Sequence, residues 1–300
     1  MPWRFWNAPS VNNPLPFPLQ IGDIRVDRIL EMEVPFMAPA DAWPDMPAGS
    51  IDEHRRWLEP AALCPHTGKL IIAIQTWVIR TSHHLILVDT CIGCNKTNHY
   101  FNDWHQRTDD TWYKRLLDKG IDPARVDYVF CTHLHGDHCG WNTRLMDGRW
   151  VPTFPNAKYI IARTEIDKAA GDNAPAYQES VLPVIETGQV AAVETDYRLD
   201  DNVWLEPAPG HTPGHVAVHL ASGGQRAVLC GDLIHSPLQC LYPHWKYWID
   251  FDHDQAVATR RSFLEDRSMD QYLVLTAHFP SPSAGRVTPR GDAFRFDFLP

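Results

Sequence analysis

Residues 131–140 read CTHLHGDHCG, which sets His133, His135, Asp137 and His138 within six positions. Ionisable groups crowded this closely are costly to bury unless something pairs them. Any fold open to this chain must therefore bring compensating partners to this segment. His133 and His135 are two apart, so in extended backbone they point the same way. Asp137 and His138 are adjacent and cannot share one strand face, but Gly136 permits a turn that gathers all four about one point. Imidazole and carboxylate suit a divalent ion such as zinc. One zinc takes three or four protein ligands, and four groups on one short loop do not all close comfortably around a single ion. Two ions are the natural alternative, and they need ligands from elsewhere in the chain.

The chain offers such ligands at regular places. VDYVF precedes the histidine-rich segment itself; NVWLEPAP precedes Gly210 and His211; RAVLC precedes Gly231 and Asp232; QYLVLTA precedes His278. Each candidate follows the C-terminal end of a strand-like apolar run. If those strands are neighbours, their ends meet on one edge, where α/β proteins build their sites. Further strands are predicted over GDIRVDRIL, which alternates, over the long KLIIAIQTWVIR, and over HLILVDT and AKYIIA. Helices are predicted over TWYKRLLDKG, ended by Gly120, near TEIDKAA, and across DHDQAVATRRSFLEDR. Residues 92–110 read as a long polar loop with aromatic islands, and residues 1–20, rich in Pro and Trp, as an extended arm. Strands mixed with helices, without a linker or an internal repeat, predict one α/β sandwich domain over residues 21–300.

Composition narrows the partners. The 300 residues are 44% hydrophobic, enough for a sizeable core. The formal net charge is −10 and no run of Lys or Arg interrupts it, which argues against nucleic acid. No apolar stretch reaches the roughly 18 residues of a membrane span, so none is expected. The opening MPWRFWNAPS has no apolar signal core, so a cytoplasmic chain is expected. The seven cysteines are odd in number and lack the spacing of a disulfide scaffold. They are expected to be reduced, and the Cys91/Cys94 pair, with no second such pair, to be small buried side chains.

Taken together, H-x-H-x-D-H at 133–138, GHTPGH at 210–215, Asp232, His278 and the early ILVDT at 86–90 resemble the metallo-β-lactamase superfamily over roughly residues 70–280. The resemblance implies an αββα sandwich with two divalent ions, zinc first among them, at one edge. It implies that His133, His135 and His211 hold one ion, that Asp137, His138 and His278 hold the other, and that Asp232 bridges them. Asp89 is expected to support the ligand loop by hydrogen bonds, and His215 is either such a support or a packing residue. His83, His84, His219 and His253 are read as structural. Two ions about 3.5–4 Å apart can share a hydroxide that attacks an ester-type bond, with Asp137 carrying a proton to the leaving group.

Within the superfamily, His135 stands where the flavodiiron branch has Glu, and Asp232 where some zinc β-lactamases have a Cys ligand. No helical substrate domain of the glyoxalase II kind is legible after Asp232. CGDLIHSPLQ and HFPSPSAGRV resemble the methyl parathion hydrolases, near the quorum-quenching lactonases. The resemblance thus implies a small-molecule hydrolase acting on a lactone, a carboxylic ester or a phosphotriester, and a homodimer. One departure is that the lactonases typically carry Tyr three residues after the bridging Asp, where this chain has His235. His235 is expected to lie near the ions and donate to a substrate oxygen. The alternatives are a mononuclear-iron dioxygenase of the persulfide-oxidising type and a β-lactam hydrolase. Aromatic residues in 99–112, with Trp141, Tyr242, Trp245 and Trp248, are candidates for an apolar pocket and equally for core or dimer contacts.

Overall fold

The computed structural model describes residues 17–270 and 272–300. Its first sheet begins with β1 (Leu19–Ile21), β2 (Ile24–Pro35), β3 (Ile71–Arg80), β4 (Leu85–Val88) and β5 (Tyr128–Phe130). A separate hairpin follows, β6 (Thr143–Met146) with β7 (Arg149–Pro152), and then β8 (Lys158–Ala162) and β9 (Val190–Val193) complete the first sheet beyond β5. β4, β5, β8 and β9 run parallel to one another. The second sheet takes chain order: β10 (Val203–Pro207), β11 (Val216–Ser222), β12 (Gln225–Leu229), β13 (Leu273–Leu275), β14 (Ala284–Arg290) and β15 (Ala293–Phe298). Only its β12–β13 pair is parallel.

The short central strands read as continuous apolar runs because both of their faces are covered. Ile86, Val88, Phe130 and Ile160 point inward, against Val218, Leu229 and Leu275 of the second sheet. Their neighbours Leu87, Val129, Tyr159 and Ile161 point outward. There they meet Trp112 and Leu116 of α1 (Thr111–Asp118), with Ile166 and Ala169 of α2 (Arg163–Asp172) at the margin. On the far side, Phe263 and Leu264 of α3 (His253–Asp270) cover Ala217, Val228 and Val274. Three apolar layers thus alternate with helix, sheet, sheet and helix, which is the αββα sandwich. A fourth cluster joins residues 42–70 to residues 238–249 through Trp43, Leu58, Leu238 and Trp245.

The expected arm over residues 1–20 lies mostly outside the described residues. Its last part is not a loose extension, because Leu19–Ile21 pairs with Ile24–Val26. The 92–110 loop holds only one 3₁₀ turn, Asn102–Trp104. Among the described residues, no helix is long and apolar enough to cross a membrane.

Candidate metal centre

β5, β10, β12 and β13 end at Phe130, Pro207, Leu229 and Leu275. β13 is parallel to β12, and β10 lies two antiparallel steps from β12, so these three strands of the second sheet end on the same edge. The segment after β5 meets them there, where the Val216 N–H donates to Thr132 O at 3.0 Å. The chain bends at Thr132 and His133, His135 is extended, and a single helical turn, Gly136–Cys139, then carries Asp137 and His138. The side chains gather in two groups: His133, His135, His211 and Asp232 in one, Asp137, His138 and His278 in the other.

In the first group, His135 Nδ1 lies 3.0 Å from both His133 Nε2 and His211 Nε2. In the second, His138 Nε2 lies 3.2 Å from His278 Nε2, and Asp137 Oδ2 is 3.7 Å from each of them. Asp232 stands between the groups. Its Oδ1 lies 3.2 Å from His138 Nε2 and 3.0 Å from His278 Nε2. Its Oδ2 lies 3.2 Å from His211 Nε2 and 3.8 Å from His133 Nε2. Oδ1 is buried and accepts no hydrogen bond. Zinc–nitrogen bonds of about 2.0–2.1 Å put neighbouring donors of a tetrahedron roughly 3.3 Å apart. The spacing, the inward ring nitrogens and the orphaned oxygen all fit divalent ions.

The donors are also electrostatically divided among themselves. Burial and neighbouring imidazoles hold His133 and His135 well below the ordinary imidazole pKa. Burial pushes His138 the same way, but Asp232, Asp137 and Asp89 outweigh it and pull its pKa well up. His211 is raised to about 9, burial being outweighed by its bonds to Asp232 and Asp250. Positive charge shared at the centre satisfies the whole set without placing a proton between facing nitrogens.

The outward ring nitrogens are fixed by the fold, which leaves the inward ones as lone pairs. His211 Nδ1 pairs with Asp250 Oδ1 at 2.8 Å, and His138 Nδ1 with Asp89 Oδ2 at 2.9 Å. His278 Nδ1 donates to the Ala73 carbonyl at 3.0 Å. Asp89 sits at φ 58° and also accepts from Thr132 N–H at 2.8 Å, so it locks the end of β4 to that of β5. His215 Nε2 accepts the Asp232 N–H at 2.9 Å, which makes it a support of Asp232. Gly231 has to be glycine there: it adopts φ 51°, and a Cβ would lie 2.5 Å from His215 Nε2. Three further groups carry no signal in the sequence. Glu165 accepts from Leu134 N–H and Gly214 N–H and so joins two ligand loops. Asp250 holds His211, and Arg260 holds Asp250 at 3.2 Å.

His235 lies beside the cluster, with Nε2 3.1 Å from Asp232 Oδ2 and its ring stacked on Tyr247 at 3.6 Å. Burial is the main cause that lowers its pKa to about 4. A neutral His235 that donates to Asp232 turns its other nitrogen away as an acceptor. A cavity of about 330 Å³ opens over the cluster, with Phe36, Phe101, Trp104, Tyr247 and Trp248 among its aromatic lining. Trp141 is not in that lining; it stacks on Trp112 in the outer core. Trp245 and Tyr242 stack on each other outside the cavity. All seven cysteines are free; Cys91 is buried, and Cys94 donates to Asp109 O.

Residues 72–278 match the family model described as Metallo-beta-lactamase superfamily. The chain belongs to the metallo-beta-lactamase superfamily. Among curated members it is similar to an N-acyl homoserine lactonase of Bacillus thuringiensis, 28% identical over 180 residues. That alignment covers 56% of this chain and 66% of the relative, just under two thirds of its length. Among solved structures, hydrolase AbOPH superposes with a TM-score of 0.78 at 22% identity, covering 94% of this chain and 96% of that one. AidC, a dizinc quorum-quenching lactonase in complex with its product, superposes with a TM-score of 0.74 at 21% identity and the same coverage. At those identities the likeness establishes the superfamily fold.

Proposed function

We propose that this superfamily member is a two-metal hydrolase of uncharged lactones or related esters. Divalent ions held in the cluster, zinc first among them, would lower the pKa of water and polarise the carbonyl or phosphoryl oxygen under attack. His133, His135 and His211 would hold one ion, and Asp137, His138 and His278 the other. Asp232 is the observation that carries the two-ion reading, because it stands between the groups: Oδ1 faces His138 and His278, while Oδ2 faces His211 and also lies 3.3 Å from His278 Nε2. A one-iron site of the persulfide-oxidising kind gives the second group no task. Asp137 lines the cavity, where its carboxylate can take a proton and return it to the leaving oxygen. Tyr247 and Trp248 exclude water from the reacting bond. Lactonase names among the curated relatives favour a lactone over the other esters.

The uncharged substrate follows from the wall. Lys168 is the one Lys or Arg among its described lining residues; it is paired with Asp172 and lies over the Phe251 ring. A β-lactam, which carries a carboxylate, would find no unpaired Lys or Arg among the described lining residues, so β-lactam hydrolysis is disfavoured. The test is metal content together with a panel of acyl lactones, carboxylic esters, phosphotriesters and β-lactams. About two ions per chain, lactone turnover that stops with chelator, and no β-lactam turnover are expected. Full activity with one tightly bound ion would overturn the two-ion reading, and preference for a β-lactam the uncharged-substrate one.

A further inference from the structure

We propose that Arg260 is a positioning residue for the metal centre, a single buried side chain that fixes two ligand loops and the adjoining cavity wall together. It stands on α3 and is 1% exposed. Its Nε donates to the Leu233 carbonyl at 2.8 Å, immediately after Asp232. One terminal nitrogen donates to the carbonyls of Pro243 at 3.1 Å and Trp245 at 2.9 Å. The other reaches Asp250 Oδ2 at 3.2 Å. Asp250 passes this on: its Oδ1 holds His211 Nδ1 at 2.8 Å, and its Oδ2 also accepts the Tyr247 N–H at 3.3 Å.

A guanidinium suits this task because its donors lie in one rigid plane and point in fixed directions. The same plane meets the loop after β12, the aromatic segment beside the cavity, and the carboxylate behind a candidate ligand. A buried charge that only tied a helix down could have been replaced by an apolar side chain at little cost. This one instead ends on the carbonyl after Asp232, on the carboxylate behind His211, and on the segment that leads into Tyr247 and Trp248 of the cavity lining. Both Asp250 oxygens are engaged, Oδ1 by His211 and Oδ2 by Arg260 and the Tyr247 N–H. An ionised Asp250 keeps the proton of His211 on Nδ1 and its lone pair on Nε2. Arg260 therefore sets the orientation of His211 from a side chain that touches no candidate ligand.

The inference rests on reading the cluster as a metal centre, so the wild-type chain is measured first, by chelator competition with Zn²⁺ and by the absorption of the Co²⁺-loaded protein. A wild type that binds neither ion overturns both readings. Arg260→Met is expected to weaken binding of at least one ion about 10- to 100-fold, as loss of such supporting bonds does elsewhere, and to alter the Co²⁺ absorption. Arg261→Ala, one position along α3 on an exposed side chain paired with Glu265, is expected to change neither. Asp250→Asn is expected to reproduce the metal effect, and the double variant to add little to it. If Arg260→Met does not fold, Arg260→Lys decides by the same two measurements, because an ammonium cannot span all four acceptors. A folded Arg260 variant with metal affinity within twofold of wild type and an unchanged Co²⁺ spectrum would overturn the positioning role alone, with the metal centre intact.

Discussion

Asp232 is the residue on which the site turns. Its carboxylate stands between the two histidine groups and touches both, so Asp232→Ala is expected to bring bound metal from about two ions per chain to less than one and to reduce turnover to background. His83→Ala is expected to change neither, and metal analysis with a lactone assay checks both. Normal metal content and rate in the Asp232 variant would remove the bridge. His235 contacts Asp232 directly, so His235→Ala is expected to keep the fold and to lower turnover about 10- to 100-fold. His235→Tyr is expected to recover part of that on a lactone; unchanged kinetics in both variants would make His235 a packing residue. The candidate ligands were legible because each follows an apolar run. Asp250, Arg260 and Glu165 were not, because what they contact lies 39, 10 and 31 positions away and meets them only once the chain is folded. Trp141, open in the sequence between pocket and core, was undecided for the same reason: an indole in a sequence does not say which of two apolar regions it fills.

At the scale of elements, the cavity wall depends on a loop anchored in part by Glu179. Thr97 donates its N–H and hydroxyl to the Glu179 carboxylate at 2.8 and 2.7 Å, and Phe101 and Trp104 follow within the same loop. Glu179→Ala is expected to raise KM severalfold for substrates with large apolar arms and to leave kcat on a small acetate ester unchanged; steady-state kinetics on the two substrates reads the split. The neighbouring Lys96 is buried, and burial lowers its pKa to about 7. Between that value and the ordinary lysine value, the unfolded chain binds the proton that the folded one has lost. Stability therefore rises with pH in this window. Thermal unfolding is expected to show wild type gaining on Lys96→Met from pH 7 to pH 10; a pH-independent difference would contradict the shift. The central strands were legible because both faces are apolar. The hairpin of β14 and β15 was not, since Pro289 argues against a strand. Proline is tolerated there because β13 pairs with β14 only at Ala284 and Gly285.

For the whole molecule, the ligands come from loops of both sheets, so ions bound there also fasten one sheet to the other. An ion that binds only the folded chain adds about 4 kcal/mol at a thousandfold excess over its Kd. At roughly 2–4 °C per kcal/mol for chains of 150–250 residues, zinc-loaded protein is expected to melt several degrees above chelated protein, and calorimetry at fixed pH measures it. Equal melting temperatures would mean that the cluster does not hold metal in the folded state. The sandwich itself was legible from strand and helix order, whereas the joining of residues 42–70 to 238–249 was not, because nothing local marks two distant aromatic segments as partners. The spread of the ligands along the chain has one more consequence. His138 and His278 are separated by 140 positions. A ribosome delivers the first histidines long before the last, and in that interval α2 and most of the second sheet must still be made. An ion met early finds only the four groups of one short loop. The full set closes only after β13 has docked, so metal held there would seal the sandwich once both sheets have met and would not start its folding.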